Sequence, residues 1–193
     1  MSYQHQFWEW FKNQEDELFN YENNQEVIFD MLGSQLGKID PDLSFEIGPK
    51  SDGKREFVIS ASGIKSAFPA VQKLAAEAPS FERWKITAFR PRRATINTIE
   101  FRGTKVSPRD VQFSLLHKGK TAGIYLFIPG YSNENVELKQ IGYLLLDEAL
   151  GEFDVESKVG LIQMFSPETN TSGERYLLSE LPERFDKLLQ QLE

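Results

Sequence analysis

Residues 43–61, with the sequence LSFEIGPKSDGKREFVISA, decide the fold class of this chain. Apolar and polar side chains alternate over 43–48 and again over 55–61. A period of two residues is typical of half-buried strands, and the intervening Asp52-Gly53 pair favours a tight turn. The stretch therefore predicts a β-hairpin with one buried face.

Helical periodicity appears on both sides of this hairpin. Apolar residues recur at helical spacing over 3–23 and 25–36 before it, and over 64–75 after it. Residues 1–40 contain two Lys against eight acids, so one face of this helical pair is acidic and the other is aromatic. We expect that aromatic face to pack on the sheet that follows.

The remaining sequence alternates between strand and helix patterns. It predicts helices over 135–151 and 178–192, and strands over 84–89, 95–102, 111–117, 122–129 and 159–165. Because hairpins account for most of the strand connections, we expect a largely antiparallel sheet covered by helices. The prediction is an α+β fold in a single domain over residues 1–193, with residues 1–40 packed on it as a helical element.

Composition excludes several classes of protein. The 193 residues include no cysteine, which removes disulfides, thiolate nucleophiles and zinc ribbons, and fits a cytoplasmic location. The first residues lack the pattern of a signal peptide, and the longest apolar runs are only of strand length, so we expect no membrane span. Aromatic residues make up 12 % of the chain, enough to build a core.

The charge of the chain is unevenly distributed. Residues 82–105 contain seven Arg or Lys against two Glu, a local excess of +5, which leaves −12 elsewhere against a net charge of −7. An acidic surface repels phosphate, so nucleic-acid binding is not expected. We expect any anionic ligand to contact the basic segment 82–105.

Catalytic and metal motifs are sparse. The chain has no Gly-x-Ser-x-Gly motif and only two histidines, His5 near the N-terminus and His117 beside a turn. A carboxylate site for magnesium could use Glu46, Glu56 or Glu100, but all three fit better as outward residues of amphipathic strands. We therefore expect neither a metal nor another cofactor.

The segment 84–93, with the sequence WKITAFRPRR, is the best candidate for a binding site. It begins as a strand and ends with Arg90, Arg92 and Arg93, whose guanidinium groups suit bidentate capture of carboxylate or phosphate. Trp84 at the start of the strand is a weaker candidate. Internal pairing with acids such as Glu46 is the competing interpretation.

Two functions fit these residues. The first is a non-catalytic binding protein that recognises a protein partner or a small anion through the basic strand end. The alternative is a hydrolase-like enzyme acting on an acidic or phosphorylated small molecule, with Glu46 or Glu56 as the base and Arg90 or Arg92 as the anion clamp. A carboxylate of raised pKa in a pocket beside an arginine would favour the enzyme.

Several blocks of the chain resemble a family of bacterial proteins of unknown function. They are FWEWF at 7–11, REFVISASGI at 55–64, AFPAV at 67–71, AP at 78–79, WKITAFRPR at 84–92 and LDEALGE at 146–152. The resemblance covers most of the chain. It implies a common fold and brings no activity with it.

Overall fold

The computed structural model describes residues 2–192. The fold is α+β with mainly antiparallel strand pairing, as predicted, and the predicted N-terminal helices are present. The chain divides into two compact units, Met1–Arg90 and Pro91–Glu193, each with its own hydrophobic core. The prediction of one domain over residues 1–193 stays a prediction.

The first unit contains a three-stranded sheet and four α-helices. Its helices are α1 (Tyr3–Asn13), α2 (Glu15–Phe19), α3 (Gln25–Gly37) and α4 (Phe68–Ala76), and its strands are β1 (Ser44–Ile47), β2 (Arg55–Ser60) and β3 (Trp84–Ala88). The predicted hairpin is confirmed, with β1 antiparallel to β2. Strand β3 lies parallel to β2 because the chain crosses over through α4.

The acidic N-terminal element packs on this sheet through its aromatic face, as predicted. The Phe11 ring lies 5.0 Å from that of Phe57 on β2, and the Trp8 indole donates a hydrogen bond to the Leu74 carbonyl oxygen at 2.9 Å. The single helix predicted over 3–23 was wrong, because α1 ends at Asn13 and α2 at Phe19. The Asn20 side chain then donates to the Asp16 carbonyl oxygen and satisfies the end of α2.

The second unit contains a four-stranded sheet, a separate hairpin and three α-helices. Its strands are β4 (Ile99–Phe101), β5 (Thr104–Val106), β6 (Gln112–Lys118), β7 (Thr121–Phe127), β8 (Val159–Phe165) and β9 (Tyr176–Leu177), and its helices are α5 (Val136–Leu150), α6 (Glu152–Lys158) and α7 (Leu181–Gln190). The strand order of the larger sheet is β8-β7-β6-β9. The β6–β7 pair is the predicted hairpin, whereas β8 lies parallel to β7.

Three details of the second unit differ from the sequence prediction. The strand expected over 95–102 is confined to β4, and it turns through Arg102-Gly103, both with positive φ, into a strand that was not predicted. Helix α6 follows α5 directly after Gly151, which has a φ of 85°. The C-terminal helix begins as a short 3₁₀ turn at Leu178–Glu180 before α7.

No helix within residues 2–192 combines the length and the apolar character needed to cross a membrane.

Candidate anion-binding pocket

Arg90, the first of the three predicted arginines, is engaged inside the first unit. Its guanidinium forms an ion pair with Glu46 on β1, and only 16 % of its side chain is exposed. Arg90 therefore forms an internal ion pair with Glu46, which was the competing interpretation of the arginine cluster. Arg90 and Glu46 together therefore link the end of β3 to β1.

Arg92 is engaged inside the second unit. Its two terminal nitrogens donate to the two carboxylate oxygens of Asp186 on α7, at 2.8 and 3.0 Å, and a second acid, Asp154 on α6, lies 3.9 Å away. The hydrogen bond from Arg92 lowers the pKa of Asp186, and the same contact raises the pKa of Arg92. This fork holds the segment after Pro91 against two helices.

Trp84 and Glu56 lie in the three-stranded sheet of the first unit. Trp84 is buried, with its ring 5.2 Å from that of Phe11, and its indole N–H has no partner among residues 2–192. Glu56 accepts hydrogen bonds from Thr87 at 2.6 Å and from Lys85 at 2.9 Å. Trp84 therefore packs in the core of the first unit, and Glu56 pairs with side chains of the neighbouring strand β3.

Arg93, the third predicted arginine, lines a pocket of about 450 Å³ in the second unit. Three segments form its walls: residues 93–96, the pair Pro108-Arg109, and the turn from β9 into α7 with Leu177, Ser179 and Pro182. The backbone N–H of Leu178 donates to the Val111 carbonyl oxygen at 3.0 Å and joins the second and third walls. Most of the lining surface is apolar.

Glu148 on α5 holds the first wall at both ends. Its carbonyl oxygen accepts a hydrogen bond from the Arg93 N–H at 2.8 Å. Its carboxylate accepts from the backbone N–H of Asn97 at 2.6 Å, and from the Asn97 side-chain amide at 3.2 Å. The irregular backbone between these two points is therefore fixed without belonging to a strand or helix.

Arg109, which the sequence analysis missed, lines the same pocket. It lies in a short 3₁₀ turn, Pro108–Asp110, capped by the Ser107 side chain. The Arg109 side chain is exposed, and within residues 2–192 its guanidinium has no ion pair or hydrogen bond. No local motif marks it, because it lies 16 positions from Arg93 and only the fold brings the two to one pocket.

The lining determines what this pocket can do chemically. The charged side chains among its described lining residues are Arg93 and Arg109, and the polar ones are the hydroxyls of Thr95 and Ser179. These lining residues include no histidine or carboxylate that could act as a general base. A guanidinium group beside an apolar surface suits the binding of an anion.

No protein-family model, curated protein or solved structure matches this chain. The resemblance to a bacterial family of unknown function stays a prediction. Within residues 2–192, His, Asp and Glu side chains form no group of three or more that could hold a metal ion.

Proposed function

We propose that this protein is a non-catalytic binding protein that recognises an anionic group, on a protein partner or a small molecule, at the pocket lined by Arg93 and Arg109. The observation that carries the proposal is the Arg109 guanidinium, which lines a mostly apolar pocket and has no acid partner within residues 2–192. The predicted basic strand end thus contributes Arg93, and Arg109 joins it from another turn.

The energetics of arginine support this assignment. The guanidinium of Arg92 is already paired with Asp186, whereas the exposed guanidinium of Arg109 can donate to a ligand without giving up a partner within residues 2–192. Beside an apolar surface, the interaction with an anion is weakened less by water than on an open surface. A ligand carboxylate would therefore find both charge and apolar contact here.

The alternative, an enzyme with Glu46 or Glu56 as its base, has less support. Glu46 is ion-paired with Arg90, and Glu56 accepts hydrogen bonds from Lys85 and Thr87. Neither residue is in the described lining of the pocket, so neither is placed to take a proton from a molecule bound there. For that reason we favour binding over catalysis.

We also propose a cytoplasmic location, because the sequence contains no cysteine. Recovery of the protein from an extracellular fraction would contradict this location.

The proposed binding can be tested with anilinonaphthalene sulfonate, a fluorescent anion with an apolar body. We expect saturable binding that weakens about tenfold in Arg109→Gln, because one charge-assisted hydrogen bond is lost. The matched control is Arg102→Gln, which removes an exposed guanidinium from the β4–β5 turn outside the described pocket lining. Equal loss in both variants, or no loss in either, would contradict the proposal.

A further inference from the structure

We infer that the ligand of this pocket is a small organic acid, with one carboxylate on an apolar body of several carbon atoms. The inference rests on the proposed function and narrows it to one chemical class. Three features of the pocket lead to it: the apolar part of the lining, the number and kind of polar donors, and the size of the concave space.

The apolar residues of the pocket lining favour a ligand with an apolar body. Five of the nine lining residues have apolar side chains, namely Ala94, Ile96, Pro108, Leu177 and Pro182. Leu177 is 48 % exposed, a large fraction for a leucine beside a core. An inorganic anion would leave this surface in water, whereas each methylene group placed on it should raise the affinity roughly fourfold.

The polar donors suit one carboxylate better than a phosphate or a polyphosphate. Phosphate sites usually surround the anion with several backbone N–H groups, often at a helix N-terminus. Here Pro108 and Pro182 lie on two different walls, and proline has no backbone N–H. Of the charged lining residues, Arg109 has a guanidinium without a partner within residues 2–192, and a single carboxylate can accept a bidentate pair of hydrogen bonds from it.

The size and shape of the pocket favour a small molecule over a protein segment. A concave space of about 450 Å³ falls within the range of sites that enclose small ligands. A peptide partner would more often add to a strand edge or lie along an extended groove. An acidic segment of a protein is therefore the competing occupant, and the experiment below separates the two.

The test is a titration of the full chain, followed by the backbone amide resonances, with acetate, butyrate, hexanoate and octanoate. Hexanol serves as the uncharged match for hexanoate, and a capped acidic peptide containing leucine represents a protein segment. We expect the affinity to rise roughly fourfold per methylene until the pocket is filled, and hexanol to bind about tenfold more weakly than hexanoate. Arg109→Gln should abolish the difference between hexanoate and hexanol, and Arg102→Gln should preserve it.

Each other outcome overturns a defined part of the account. If acetate or phosphate binds as tightly as hexanoate, the site binds anions but the apolar-acid class is wrong. If the capped peptide binds and the alkanoates do not, the proposed binding function stands and its ligand is a protein segment. If no anion shifts the backbone amide resonances of residues 93–97 or 109, the proposed function fails together with this inference.

Discussion

The backbone N–H of Asn97 lies 2.6 Å from a carboxylate oxygen of Glu148, while the carbonyl oxygen of the same Glu148 accepts the N–H of Arg93. One residue of α5 therefore holds a wall of the candidate pocket at both ends. Such an arrangement orders the wall before a ligand arrives, and an ordered site loses less conformational entropy on binding.

Glu148→Ala should weaken the binding of anilinonaphthalene sulfonate about fivefold, because the Asn97 end of the wall is released. Glu148→Gln should stay within about twofold of the parent chain, since its amide oxygen can still accept the Asn97 N–H. Fluorescence titration measures both affinities. Equal weakening in the two variants would show that the charge of Glu148, not its hydrogen bond to Asn97, matters for binding.

The Arg92–Asp186 pair should contribute to stability. Both side chains are partly solvated, so we expect Arg92→Ala to cost about 1 kcal/mol and to lower the thermal midpoint by about 2–4 °C. A double-mutant cycle with Asp186→Ala should give a coupling of about 0.5–1 kcal/mol. Arg109→Ala should leave the midpoint unchanged, because its guanidinium has no partner within residues 2–192. A coupling of zero would mean that the fork is not formed in solution.

Arg55 should be the most costly arginine of the first unit to replace. Its side chain is 1 % exposed, and it donates to the carbonyl oxygens of Phe19 and Gly48, both at 2.9 Å, and to Glu22. Lysine cannot reproduce this planar set of donors, so Arg55→Lys should lower the free energy of unfolding by about 2–4 kcal/mol.

Urea unfolding measures the Arg55 effect, with Arg102→Lys as the exposed control, for which we expect a change within about 0.5 kcal/mol. Similar stability of the two variants would contradict the buried arrangement of Arg55. The arrangement would also be contradicted if Arg55→Met proved as stable as the parent chain, since methionine leaves both carbonyl oxygens without a donor.

Stability should fall in acid through two carboxylates. Hydrogen bonds from Arg55 and Arg92 lower the pKa of Glu22 below its ordinary 4.5 and the pKa of Asp186 below its ordinary 3.8. A lowered folded pKa means that the stabilisation is fully present above the ordinary value and is lost as the pH falls through the folded value. We therefore expect the free energy of unfolding to decline below about pH 4.5.

Urea unfolding between neutral pH and about pH 2.5 follows this decline. The Asp186→Asn variant should lose less stability over the acid range than the parent chain, because its side chain does not titrate. Parallel curves for the two proteins would show that the Arg92–Asp186 pair makes no pH-dependent contribution.

Much of the fold follows from local patterns in the sequence. The alternation around Asp52-Gly53 predicts the β1–β2 hairpin, and the apolar stripes predict α3 and α5 to within a residue or two. The parallel pairings of β3 with β2 and of β8 with β7 have no local signal, because each depends on a crossover through a helix.

The candidate site was harder to predict for the same reason. The sequence marks the cluster from Arg90 to Arg93, but pairing with acids distant in sequence decides which guanidiniums are engaged. Arg92 finds Asp186, 94 positions away, whereas Arg109 meets Arg93 only because two turns close over one pocket. Arg55 illustrates the same limit, since its position on an alternating strand does not predict that it is buried.

The most direct test of the central claim is to map which backbone amide resonances move when hexanoate is added to the protein. Our account predicts that the shifts cluster in residues 93–97, 109–110 and 177–180, and that at the same hexanoate concentration they are smaller in Arg109→Gln but unchanged in Arg102→Gln. Shifts confined to the first unit, or an absence of shifts at those three segments, would contradict it.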